Sequence, residues 1–94
     1  MPTCTANVTV PQAERVLFKM CKHFAIKVPV TFDSEQADID FRFGRCLVQR
    51  EGDLLSLHCT AESDELLQRV QYVLDEHLAL MARNKQLAVA WQSV

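Results

Sequence analysis

The stretch Asp38-Ile39-Asp40-Phe41-Arg42-Phe43-Gly44-Arg45-Cys46-Leu47-Val48-Gln49-Arg50-Glu51-Gly52-Asp53-Leu54-Leu55-Ser56-Leu57-His58-Cys59-Thr60-Ala61 decides the fold. Ile39, Phe41 and Phe43 alternate with Asp38, Asp40 and Arg42, the period of two that marks a half-buried strand. A second strand runs from Cys46 to Glu51. A third runs from Leu54 to Ala61, with Leu55, Leu57, Cys59 and Ala61 on one face. Gly44-Arg45 and Gly52-Asp53 separate them, and each suits a two-residue hairpin turn with glycine first. The Gly52-Asp53 turn predicts a register: Glu51 faces Leu54, Arg50 faces Leu55, Val48 faces Leu57 and Cys46 faces Cys59. Counted outward, Cys46 and Cys59 fall at a non-hydrogen-bonded position, where Cα atoms approach to about 4.5 Å. The Gly44-Arg45 turn pairs Phe43 with Cys46 on the same face.

Upstream, Cys4, Ala6, Val8 and Val10 alternate with Thr5, Asn7 and Thr9 in a first strand. Thr9 stands three residues before Gln12 with Pro11 between them, a capping-box spacing that opens a helix. Ala13, Val16, Leu17, Met20 and Phe24 then share one stripe at about 100° per residue. The helix ends near Lys27, because Pro29 disfavours helical backbone at Val28. Val28, Val30 and Phe32 make a short strand, and 33–36 a polar turn. Downstream, Ser63 before Asp64 and Glu65 reads as an N-cap with acids in the first turn. The second helix carries Leu66, Val70, Val73, Leu74, Leu78 and Met81 on its apolar face and frays near Asn84. Residues 86–94 form a tail whose Trp91 docks back on the core.

The order β-α-β-β-β-β-α gives a two-layer α+β domain, an antiparallel sheet of about five strands with two amphipathic helices on one face. The helical crossover from the first strand favours a parallel neighbour or a gap that another strand fills; the partner of that strand stays open. Ninety-four residues suit a single domain, 1–94. Net charge −2 and pI about 5.8 argue against general binding of nucleic acid or a membrane surface. No apolar run reaches the roughly 20 residues that cross a bilayer, and the N-terminus lacks signal-peptide regions. The expected location is the cytoplasm, where the four cysteines stay as free thiols.

Chemistry has few places to live. Cys46 and Cys59 lie side by side beneath the second helix, and His77 falls within about 20° of Leu66 on its stripe, pointing at the sheet. Two thiols and an imidazole could hold a soft metal or form a redox pair with a base, but they lack a fourth ligand for a structural zinc. The favoured reading is that the cysteines fill core volume while His77 bonds a backbone carbonyl or a water. Cys21-Lys22-His23 has the look of a metal motif, but helix residues two apart diverge by about 200° and cannot converge on one ion. His23 instead groups with Arg15, Lys19 and Lys22 on a basic face, either plainly solvated or a patch for an anionic ligand or acidic partner. Exposed Tyr72 hints at an interface. No nucleophile elbow and no phosphate-cradling glycine loop occurs, so no enzyme signature is present and no cofactor is implied. Asp38 and Asp40 read as solubilising acids on an outer face.

From Met20-Cys21-Lys22-His23-Phe24 through Gly44-Arg45-Cys46, Glu76-His77-Leu78 and Trp91, the chain resembles the bacterial domain-of-unknown-function family 2218 over nearly its whole length. The resemblance singles out Cys21, Lys22, His23, Cys46, His77 and Trp91. Some members stand alone and others resemble a module joined to flavin-dependent, siderophore-interacting reductases. That implies a link to iron or siderophore handling, with such a reductase as partner. Many members carry a second histidine where this chain has Ile26, which weakens any histidine-cluster metal site on the first helix. Three functions follow as expectations: an accessory binding module linked to iron or siderophores, a thiol-based redox or metal protein using Cys46, Cys59 and His77, or a structural homodimer.

Overall fold

The computed structural model describes residues 1–93; Val94, the end of the expected tail, lies outside them. Its elements are β1 (Thr3–Thr9), α1 (Ala13–Phe24), β2 (Val30–Phe32), β3 (Gln36–Asp40), β4 (Arg45–Glu51), β5 (Leu54–Thr60), α2 (Asp64–Met81) and β6 (Gln92–Ser93). The strands form one six-stranded antiparallel sheet in the order β2-β3-β4-β5-β1-β6. β1 pairs with β5, so α1 carries the chain over β5, β4 and β3 to the opposite edge. That long crossover is the gap filled by three later strands. The sixth strand is two residues of the tail, laid against β1 at Cys4 and Thr5.

Gly52 adopts φ 60, as a hairpin glycine must, and sets Glu51 opposite Leu54 and Cys46 opposite Cys59. The other turn is different. Asp40 pairs with Arg45, leaving a four-residue loop, 41–44, where the sequence suggests a two-residue turn at Gly44-Arg45. Asp40 causes this: its Oδ1 accepts the Arg42 N–H at 2.9 Å, an Asx turn that holds Arg42 at φ 74 and ends the strand early. Ile39, not Phe43, therefore faces Cys46. The slip is an even number of residues, so every side chain keeps its expected face.

The capping box at Thr9 does not form either. Gln12 is the N-cap, in left-handed backbone at φ 58, with no side-chain cap of its own. Ser63 does cap α2, its Oγ accepting the Leu66 N–H at 3.2 Å. The core lies between the helices and one sheet face, with Ala13, Val16, Leu17, Met20, Cys21 and Phe24 of α1 buried on Cys4, Ala6, Ile39, Val48, Leu55, Leu57 and Cys59. Gly44 lets α2 approach closely, since a Cβ there would run into Val70 and meet the Thr60 carbonyl oxygen at 3.0 Å. The opposite sheet face is polar, and on it Arg45 grips both carboxylate oxygens of Asp38 at 2.6 and 2.7 Å. That bond draws the Asp38 carboxyl below its ordinary value. No helix among the described residues is long and apolar enough to cross a membrane.

Candidate functional site

Pairing of β1 with β5 adds Cys4 to the far side of Cys59, so Cys4, Cys59 and Cys46 form a row across three neighbouring strands. All three are buried and free, as is Cys21 on α1. A hydrogen bond to Cys46, together with burial, pushes the Cys59 thiol far up. Burial raises Cys4 and pushes Cys21 up to about 11. A thiol attacks or ligates as its thiolate, so Cys4, Cys21 and Cys59 are poor nucleophiles at neutral pH. Cys46 shares their burial and reaches the Leu47 carbonyl at 3.8 Å.

His77 does not join this row. The buried stripe of α2 runs through Leu67, Val70, Leu74 and Leu78, one residue on from the expected Leu66. Helical periodicity places His77 about 65° from the centre of that stripe, on its flank. The ring turns to α1 rather than to the sheet. Its centroid lies 5.0 Å from that of His23 and 4.7 Å from that of Phe24, while Nδ1 sits 2.7 Å from the Val73 carbonyl oxygen. Phe24 packs edge-on against Phe41 at 5.0 Å, which buttresses the pair from below. Cys21 and His23 diverge as periodicity requires: Cys21 is fully buried and His23 exposed. Among the described residues no group of three or more His, Cys, Asp or Glu side chains is placed to hold a metal.

The basic residues divide. Arg15 and Lys19 line a cleft of about 160 Å³ where the start of α1 meets the end of α2, and Arg83 closes its far wall with Met81 and Ala82. Lys22 is elsewhere, its Nζ 6.0 Å over the Phe18 ring. Arg83, which lies in no sequence motif, sits at φ 55, and Gln12 on the opposite lip at φ 58, so left-handed turns shape both sides of the cleft. Among the described residues, Arg15, Lys19 and Arg83 have no carboxylate within 4.0 Å. A basic side chain just past a helix C-terminus was the available signal for Arg83.

Trp91 docks as expected: half-buried, it packs on the core and donates Nε1–H to Asp75 Oδ1 at 2.9 Å. Burial raises the Asp75 carboxyl, opposed by that donor. Tyr72 and Ile26 are exposed.

The sheet order, the two covering helices and the inward thiols define a small two-layer α+β domain, with the basic cleft and the His23–His77 contact on its helical side. The chain belongs to the bacterial family described as an uncharacterized protein conserved in bacteria, DUF2218, whose model matches residues 5–92. It is also similar to a solved structure, the NMR structure of PA4090 from Pseudomonas aeruginosa, at 29% identity and a TM-score of 0.83, covering 98% of this chain and 96% of that one. No curated protein matches it.

Proposed function

We propose that this domain is a non-enzymatic binding module that receives an anionic ligand in the cleft between the start of α1 and the end of α2, and that it serves iron or siderophore handling. The observation that carries the reading is the set Arg15, Lys19 and Arg83 around one concavity, without a carboxylate partner among the described residues, in a chain whose net charge is −2. Three uncompensated cations focus a positive field that suits a polyanion. Ferric siderophores and iron-binding hydroxy acids commonly carry such charge, and the family resemblance to modules joined to siderophore-interacting reductases supports that class. Against catalysis, burial raises the thiols of Cys4, Cys21 and Cys59, which makes them poor nucleophiles at neutral pH.

Calorimetric titration with a ferric catecholate, a ferric hydroxamate and ferric citrate tests the assignment. Binding tighter than about 1 mM, weakening with added salt, is expected for at least one of them. The double substitution K19E/R83E should abolish it. Failure of all three ligands to bind overturns the iron-linked reading; binding that ignores K19E/R83E overturns the cleft.

A further inference from the structure

We propose that the facing imidazoles of His23 and His77 form a two-histidine site for a divalent late first-row transition-metal ion, with water filling its remaining positions. The site is separate from the basic cleft and stands or falls without it.

Three observations build it. The first is spacing. Metal–nitrogen bonds of about 2.0–2.1 Å place each imidazole centre about 3.2 Å from the ion, so two ligands at about 100° have centroids about 5 Å apart. The observed separation is 5.0 Å, with the rings inclined at 43°. The second is orientation. His77 Nδ1 lies 2.7 Å from the Val73 carbonyl, an acceptor only, so Nδ1 carries the proton in neutral imidazole. Nε2 then bears the lone pair. A histidine ligand generally has its other nitrogen fixed this way, which sets the tautomer and strengthens the donor. The third is rigidity with access. Both rings rise from helices and lean on Phe24, at 4.7 and 6.0 Å. His23 is exposed, and His77 opens on a surface hollow that Glu76 and Lys85 also line. Water can therefore complete the coordination.

Imidazole suits Ni²⁺, Cu²⁺ and Zn²⁺ better than Mg²⁺ or Ca²⁺, and the order among the first three follows the general series with Cu²⁺ tightest. Lys19 and Lys22 on the neighbouring α1 turn disfavour a cation, which makes this a modest-affinity site.

The test is titration of the full chain with CuCl₂, NiCl₂ and ZnCl₂ at neutral pH, beside H23A, H77A and H58A. His58 lies exposed on β5, away from the pair, and serves as the control. One ion per chain, with affinity falling at least tenfold in H23A and in H77A but unchanged in H58A, is expected. Because H77A loses a hydrogen bond and packing, the wild-type NMR spectrum supplies a second reading: sub-stoichiometric Cu²⁺ should broaden the ring protons of His23 and His77 together, and spare His58. Binding that survives H23A, broadening of His58 instead, or a thiolate charge-transfer band would overturn the site. So would no binding below about 1 mM.

Discussion

The backbone N–H of Ala13 donates to Asp53 Oδ1 at 3.3 Å, across 40 residues of chain. The same residue's carbonyl accepts the Val10 N–H at 2.8 Å. The turn between β4 and β5 thus caps α1, a service the helix's own first turn does not perform. Loss of an N-cap acceptor costs about 1 kcal/mol, so D53A should unfold at lower denaturant by that amount with an unchanged slope. D53N, which keeps the acceptor, should recover most of it.

Gly44 stands where the loop, α2 and β5 converge. A methyl group there collides with Val70 and crowds the Thr60 carbonyl, so G44A should cost about 1–3 kcal/mol through overpacking. Pairing it with V70A should relieve part of that cost. Strict additivity in the double-mutant cycle would disprove the clash.

Much of this fold is legible in the sequence because alternation and helical period report burial directly. The Gly52-Asp53 turn carries its own register, and Cys46 meets Cys59 as it dictates. Asp40 was the missing signal for the second hairpin: an acid two residues before Arg42 competes for the turn through its side chain, and glycine at 44 is needed for close packing instead of for turn geometry. Three other features depend on tertiary distance. The Asp53 cap, the pairing of β1 with β5 and the meeting of His23 with His77 join segments whose separation no local pattern encodes. A one-residue shift of the α2 stripe, from Leu66 to Leu67, was enough to move His77 off the sheet and toward α1.

The buried thiols make a pH prediction. Cys21 has its pKa raised from 9.0 to about 11 by burial, so between those values the folded state keeps a proton that the unfolded chain loses. The contribution is whole below about pH 9 and shrinks as pH rises towards 11, by about 1.4 kcal/mol per unit. Cys4 and Cys59 are shifted in the same direction and add to the loss. Denaturant melts from pH 7 to 11 should show stability falling only above 9, with a shallower fall in C21A. An identical slope in C21A would mean that the thiol is not shielded. Native protein at pH 8 should likewise leave Cys4, Cys21 and Cys59 unlabelled by a maleimide until it unfolds.

Trp91 ties the tail to α2 through a charged acceptor, and its bond to Asp75 offsets part of what burial does to that carboxyl. Asp75 has a raised folded pKa, so burying it costs stability as pH rises through that value, and the loss is absent below the unfolded value of 3.8. Removing the donor while keeping an aromatic ring, as in W91F, should raise the Asp75 pKa further, read from its carboxyl carbon by NMR. Hydrogen bonds to charged groups are worth about 1.5–3 kcal/mol, and the half-buried setting keeps this one near the lower end. W91F should therefore lose about 1.5 kcal/mol at pH 7 and progressively less towards pH 3, where the carboxyl is neutral in both proteins. A loss independent of pH would assign Trp91 to packing alone, with β6 held on β1 by its backbone pairing at Cys4 and Thr5.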